Sequence, residues 1–505
     1  MDRNKQRRLG VLLSYIVMAS NFLVGLLYTP YMIKSLGQSE YGNYYYVSSL
    51  VSYLSLLTCG FGSAYLRFST PYKKNHDEAG VSSINGLFLT LFLVMGSIAL
   101  VLGGLMTAGS DVILGGSLTV DELATGKILM GIMVVNLFLS FPVSVFNSFI
   151  IAQEKFVFQK GLALVQAILS PCLSIIILRL GYKSVGIAIG VLAITILIDS
   201  CTIWYCIVKL KMKFTFKLNN ISRAKEVFVF SSFLLLSMVV DQINWSVDKY
   251  VLGKLCGTAV VAIYTVGATI NTYYKSIGEA ISNVFVPEVY TLLEEENGDV
   301  KVTRLMTRLG RIQFIVLGLI CSGFIVFGKS FIHLWVGDDY RASYYVILLL
   351  MIPVTIPEIQ KIGLEIQKAK NLHQFRSILY AIISIVNVGI SIPLSIQFGA
   401  IGAATGTAIT VLIGNGLIMN IYYQRVVNLD MAFFWNNIIK LIPPVLFSLL
   451  IGVIATNLIN ITSWLVFCPL VVAYSVIYLI SIYFVGMNQE EKSFIEKIGI
   501  NLKRK

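Results

Sequence analysis

Long apolar runs alternate with short polar segments along almost the whole chain. A helix needs about 20 apolar residues to cross a hydrocarbon core of about 30 Å. Strands of a membrane β-barrel would be about ten residues long with alternating polarity, which these runs do not show. The pattern therefore predicts an all-α polytopic membrane protein with about 14 transmembrane helices, since a helix satisfies its own backbone in lipid. The predicted spans are residues 11–36, 42–66, 81–104, 127–151, 159–179, 184–207, 226–247, 258–285, 308–328, 341–366, 374–397, 400–424, 434–457 and 461–486.

Composition supports this interpretation. Apolar residues make up 56% of the 505 residues, charged residues only 13%, and mean hydropathy is +0.79. Soluble domains contain about 25% charged residues, so little of the chain remains for a soluble domain. The first apolar run is too long for the core of a signal peptide and is predicted to be retained as a span.

The basic residues predict the orientation. Lys and Arg number 39 against 26 acidic residues, and most of them fall on segments that share a side with the N-terminus. Because cytoplasmic loops carry the excess of Lys and Arg, both termini are predicted to be cytoplasmic. The net charge of +13 is explained by basic loops against an anionic membrane leaflet, so no nucleic-acid partner is expected.

Three short sequence matches recur in order at an offset of roughly 216 to 220 residues. They begin at Leu36, Ala152 and Gly186 in the first half and at Leu255, Ala369 and Gly402 in the second. Such an offset spans six helices and predicts two pseudo-symmetric lobes related by an axis along the membrane normal. The predicted domains are a six-helix lobe at 1–208, a basic cytoplasmic linker at 209–225, a second six-helix lobe at 226–430, and two additional helices with a basic tail at 431–505.

Charged residues within predicted spans are the candidates for function, because an ionised side chain in hydrocarbon is costly and usually faces a partner or a wet cavity. Candidates for coupling to an ion are Asp199, Asp241 and Glu358. Candidates for substrate binding or for lining a cavity are Arg67, Lys275, Glu279, Lys361 and Glu365. Several of these could instead be structural pairs, because residues three or four apart share one helix face. Arg67 could equally be a cytoplasmic anchor.

Other motifs predict no enzyme, cofactor or metal. Residues 323–330 match the letters of a phosphate-binding loop, but the four residues between the two glycines, 324–327, are bulky and apolar and are predicted to end a span on the outer side. A phosphate-binding loop instead joins a strand to a helix in the cytosol. The seven cysteines and three histidines show neither zinc spacing nor a catalytic arrangement.

The chain resembles the polysaccharide, or O-antigen type, flippases of the multidrug/oligosaccharidyl-lipid/polysaccharide exporter superfamily. The resemblance covers nearly the whole chain and rests on three segments, 31–44, 60–68 and 248–253, with the sequences YMIKSLGQSEYGNY, GFGSAYLRF and DKYVLG. It implies two six-helix lobes plus two helices, and alternating access to an undecaprenyl-diphosphate-linked oligosaccharide. It also implies coupling to an ion gradient.

The expected function is thus to carry such repeat units from the cytoplasmic to the outer leaflet of a bacterial plasma membrane, for cell-surface polysaccharide synthesis. Expected partners are membrane lipids and the glycan polymerase and glycosyltransferases of the same pathway. Two alternatives remain. A multidrug cation antiporter of the superfamily would usually stop at twelve helices. A membrane-embedded glycan polymerase or glycosyltransferase would need a larger outer loop than the predicted one at 105–126.

Overall fold

The computed structural model describes residues 3–216, 221–372, 374–489 and 491–493, with some side chains of the first and ninth helices left out. Within these ranges the chain is helical and contains no strand. The helices are α1 (Arg3–Leu36), α2 (Gln38–Leu54), α3 (Phe61–Lys74), α4 (Glu78–Ala108), α5 (Ser110–Ile113), α6 (Val120–Ala152), α7 (Phe156–Arg179), α8 (Lys183–Trp204), α9 (Ile221–Cys256), α10 (Thr258–Asn283), α11 (Val286–Leu293), α12 (Gly298–Val336), α13 (Arg341–Ile359), α14 (Lys361–Ala369), α15 (Gln374–Val411), α16 (Met419–Arg425), α17 (Met431–Ile439), α18 (Ile442–Leu458) and α19 (Trp464–Ser481).

The prediction of an all-α polytopic membrane protein is confirmed. Among the described residues, 11 helical segments are long and apolar enough to cross a membrane. One of them, Gln374–Arg425, is 52 residues long and contains a kink at Gly399, so it covers two predicted spans. Helices α9 and α10 lie where two further spans are predicted but are not among the 11. The number of 14 spans therefore stays a prediction.

The chain forms two compact units, Met1–Ala262 and Ile263–Lys505. In the first unit α1 packs on α7, α4 packs on α6, and α9 packs on α2 and α3. In the second unit α12 is central, because α13, α17, α18 and α19 all pack against it. The unit boundary falls after α9, whereas the repeat predicts a lobe boundary before it. The units are defined by contacts between residues, whereas the lobes are defined by sequence similarity, so the two boundaries need not coincide. The repeat-based domains therefore stay a prediction.

Residues in the left-handed backbone region recur along the chain at the offset of the sequence repeat. Each lies where one helix ends and the next begins, or at the kink of α15. The six pairs, each about 220 residues apart, are Gly37 and Gly257, His76 and Asn297, Gly116 and Gly337, Glu154 and Asn371, Gly181 and Gly399, and Lys211 and Asn428. Since non-glycine residues seldom adopt a positive φ, this recurrence supports a duplicated six-helix arrangement.

The segment after Gly37 carries much of the resemblance and packs tightly. The Glu40 carboxylate accepts hydrogen bonds from the backbone N–H and the hydroxyl of Ser184, at 2.9 and 2.6 Å, at the start of α8. A Cβ atom at Gly42 would lie 1.8 Å from the carbonyl oxygen of Thr258. The motif thus joins three helices at one place.

The first part of the predicted linker is attached to the helices. Residues 211–216 run without helical structure beside α4. Asn85 donates a hydrogen bond of 2.9 Å to the carbonyl oxygen of Lys213, and the N–H of Thr215 donates one of 3.0 Å to that of Ser82. Met212 is buried, so this stretch is a packed element of the first unit.

Candidate functional site

A helix break in the second unit determines where the best candidate residues lie. The predicted span 341–366 is divided into α13 and α14 at Gln360, which has φ −104° and ψ 12°. Pro353 and Pro357 lie in α13 and remove two backbone donors near its end. Glu358 therefore lies at the end of α13 rather than within a continuous helix, and Lys361 begins α14.

Four predicted residues come together at this break: Lys275, Glu279, Glu358 and Lys361, hereafter the charged cluster. The Lys361 Nζ atom lies 2.9 Å from Glu279 Oε1 on α10 and 3.2 Å from Glu358 Oε1. Lys275, one turn before Glu279, interacts electrostatically with the Glu358 carboxylate. Lys361 thus bridges two acids that are 79 positions apart in sequence.

The two carboxylates differ in environment. The Glu358 side chain is 3% exposed and that of Glu279 is 47% exposed. Glu358 Oε2 is buried and makes no hydrogen bond within the described part of the chain. It lies against Gly278, where a Cβ atom would approach it to 2.7 Å. A buried carboxylate oxygen without a donor is costly, which marks Glu358 as a group whose ionisation or pairing can change.

Neutral polar residues surround the cluster, and sequence reasoning based on charge missed them. The Tyr274 and Thr355 hydroxyls lie 2.6 Å apart. Gln313 of α12 is fully buried and donates to the Gly278 carbonyl at 2.9 Å and to Ser282 Oγ at 2.7 Å. Gln313 was identifiable from the sequence as a candidate, because its amide side chain lies within an apolar run.

The remaining candidates lie apart from this bridge. Glu365 pairs with Lys368 at 2.7 Å rather than with Lys361. In the first unit, the Arg67 side chain is exposed and its guanidinium lies 4.3 Å from the Phe230 ring centroid. Asp199 of α8 is half-buried, and its Oδ2 has no hydrogen-bond partner among the described residues. The side chain of Asp241 lies outside the described residues.

The cluster therefore places ammonium groups beside carboxylates inside an apolar helical unit. A ligand can replace a carboxylate as the partner of an ammonium group. Ammonium groups form charge-assisted hydrogen bonds with phosphate oxygens. Among the residues that the structure describes, no group of three or more His, Cys, Asp or Glu side chains is suited to hold a metal ion.

Comparison with known proteins shows the family. Residues 9–289, more than half of the chain, match a family model described as polysaccharide biosynthesis protein. The chain belongs to this polysaccharide biosynthesis protein family. One similar family relative is an uncharacterized membrane protein of Bacillus subtilis, EpsK, which is 19% identical over 93% of both chains. A candidate O-antigen transporter of Shigella flexneri is 21% identical over 78% of this chain and 92% of its own.

Solved structures show the fold of this family member. The lipid II flippase MurJ in an inward closed conformation superposes with a TM-score of 0.72 at 17% identity, over 93% of this chain and 98% of that one. The multidrug transporter DinF-BH superposes with a TM-score of 0.57 at 13% identity, over 84% and 95%. The predicted place in a family of polysaccharide biosynthesis membrane proteins is confirmed by the family model, and the superpositions show a fold shared with flippases and multidrug transporters.

Proposed function

We propose that this protein moves an undecaprenyl-diphosphate-linked oligosaccharide from the cytoplasmic to the outer leaflet by alternating access, driven by an ion gradient. Membership of the polysaccharide biosynthesis family supports the polysaccharide substrate class. Similarity to a candidate O-antigen transporter and to the fold of a lipid II flippase supports transport of a lipid-linked glycan.

The observation that carries the proposal is the lysine bridge of the charged cluster. Lys361 holds a positive charge between two acids in an apolar helical unit. A diphosphate can replace Glu279, which is half exposed, as the hydrogen-bond acceptor of that ammonium group. Lys275 supplies a second positive charge nearby, so the cluster can accept the charged part of the substrate while the lipid tail stays in the bilayer.

Ion coupling is assigned to acids that lie within helices. Glu358 and Asp199 each have a carboxylate oxygen without a hydrogen bond among the described residues, and such an oxygen can take a proton or a sodium ion. Asp241 is the third candidate, from its position in the sequence. Arg67 and Glu365 remain candidates for contacts with the substrate.

The cellular setting is part of the proposal. The protein acts in a bacterial plasma membrane with both termini in the cytoplasm, as the distribution of Lys and Arg predicts. Its proposed partners are the glycan polymerase and glycosyltransferases that use or supply the same lipid-linked glycan.

A multidrug antiporter is the second candidate, favoured by the superposition on multidrug transporters at TM-scores of 0.50 to 0.57. The flippase superposes better, at 0.72. An enzyme is not favoured, because the relatives and structures whose names state an activity are transporters or flippases.

The test is transport by purified protein in proteoliposomes that contain a labelled polyprenyl-diphosphate oligosaccharide. Protein-dependent exposure of the glycan to an added glycosidase is expected. Lys361→Met is expected to slow it about tenfold, because the variant lacks the ammonium group proposed to bind the diphosphate, and a hydrogen bond to a charged group contributes about 1.5–3 kcal/mol. Lys301→Met is the matched control, since Lys301 pairs with Glu295 at 2.7 Å and neither residue belongs to the charged cluster or to the substrate candidates. Efflux of cationic dyes without glycan exposure would instead establish the antiporter.

A further inference from the structure

One turn of α12, residues 310–313, connects the C-terminal helices to the charged cluster. Arg311 in this turn is 3% exposed. It lies near the start of the predicted span 308–328 and is buried in the second unit. An arginine buried to this degree requires nearly complete hydrogen bonding.

The partners of Arg311 come from three C-terminal segments. Its Nε and Nη2 atoms donate to the two carboxylate oxygens of Glu491, at 2.7 and 2.8 Å. Its Nη1 donates to the Asn437 carbonyl on α17 at 2.6 Å, and its Nη2 donates to the Gly486 carbonyl beyond α19 at 2.7 Å. Two-pronged pairing of this kind is strong and fixes orientation.

Glu491 is itself held in place. Its backbone N–H donates to Asn488 Oδ1, and its Oε2 accepts from the Asn488 N–H, both at 2.9 Å. This reciprocal arrangement is that of a capping box at the start of a helix. The carboxylate therefore faces Arg311 from a fixed backbone, and the two residues together are hereafter the clamp.

The residues beside Arg311 contact both helices that carry the charged cluster. At Gly310 a Cβ atom would lie 2.9 Å from the carbonyl oxygen of Ile359, the residue that follows Glu358. Gln313 donates to the carbonyl of Gly278, the residue against which Glu358 packs. The turn that the clamp fixes thus contacts α10 at Gly278 and α13 at its end.

We propose that Arg311 is a positioning residue, and that the clamp transmits the packing of the C-terminal helices to the charged cluster. The two helices beyond the six-helix repeat then have a specific task in transport. They hold one turn of α12 against α10 and the end of α13, so that Lys361 stays within reach of Glu279 and Glu358. The inference goes beyond the proposed function and holds for any substrate of this cluster.

Hydrogen exchange measured by mass spectrometry on the full-length protein tests this without any substrate. In Glu491→Gln, peptides covering 276–283 and 357–363 are expected to exchange about tenfold faster, because exchange reports local opening. Lys492→Gln is the matched control: Lys492 is the next residue, and its Nζ atom lies 5.4 Å from the Tyr483 ring centroid. Faster exchange confined to residues 431–493, or unchanged exchange, would overturn the proposal.

A second variant and a transport measurement also test the role of the clamp. If Glu491→Gln cannot be purified, Glu491→Asp keeps the charge but is too short to reach both guanidinium nitrogens, and the same two peptides are expected to exchange faster. In the transport assay, Glu491→Gln and Glu358→Gln are expected to be non-additive, since both act on one cluster. Independent, multiplying effects would assign the clamp to general stability only. A chain that fails to transport glycans yet shows the exchange pattern would refute the proposed function and leave the clamp standing.

Discussion

The contact between Gly278 and Glu358 makes a glycine a determinant of the charged cluster. We expect Gly278→Ala to destabilise the protein by about 1–3 kcal/mol, because the added methyl group overpacks a buried site. The new Cβ would lie 2.7 Å from Glu358 Oε2, so the carboxylate that pairs with Lys361 must shift. Thermal unfolding and glycan exposure in proteoliposomes both report the change.

Gly161→Ala is the control for that substitution. Gly161 lies in α7, and a Cβ atom there would meet nothing within 4 Å. Alanine in an open helical position is expected to be neutral or slightly stabilising. Equal melting temperatures for the two variants would contradict the packing explanation.

The residues of the lysine bridge and of the clamp differ in how far the sequence predicted their roles. Sequence reasoning selected Lys275, Glu279, Glu358 and Lys361 because charges are rare inside apolar runs. It could not pair Lys361 with Glu279, since only the packing of α10 against the end of α13 brings them together. Arg311 was not among the candidates, because it lies near the start of its predicted span, 308–328, and its partner, Glu491, is 180 positions away.

At the scale of elements, a substitution at the Gly37 turn tests whether the family motif contributes to the stability of the fold. Gly37 has φ 78° and ψ 168°, a region that side chains disfavour, and a Cβ atom there would meet nothing within 4 Å. We expect Gly37→Ala to cost about 1–3 kcal/mol from backbone strain alone. The measurement is the free energy of unfolding in a detergent that supports reversible unfolding.

Gly104→Ala is its counterpart, since Gly104 also has open space around it but lies within α4. The pair isolates backbone conformation from packing. If Gly37→Ala and Gly104→Ala change the free energy of unfolding equally, the positive φ of Gly37 does not explain the glycine in the motif.

Helix positions followed from apolar run length, but helix interruptions did not. The predicted span 42–66 is α2 and α3 separated at Cys59 and Gly60, both with positive φ. The predicted span 341–366 is likewise interrupted at Gln360. Hydropathy averaged over a window measures the free energy of transferring the side chains to lipid. That free energy does not depend on the backbone hydrogen bonds that are lost at a helix break. Hydropathy therefore does not show where a helix is interrupted.

For the whole molecule, orientation is the most direct prediction. In a cysteine-free background, Asp121→Cys is expected to react with a membrane-impermeant maleimide in intact cells, because it lies in the predicted outer loop. Lys211→Cys is expected to react only after permeabilisation. Both side chains are exposed, so the contrast measures sidedness rather than burial. The reverse pattern would invert the topology.

The six recurrent left-handed positions also have a practical consequence for engineering. The two halves occupy equivalent turns with different residue types, such as Lys211 in one and Asn428 in the other. Asparagine tolerates this conformation better than lysine does. Each half is therefore a template for improving the other, and Lys211→Asn is expected to raise the melting temperature without any change in transport.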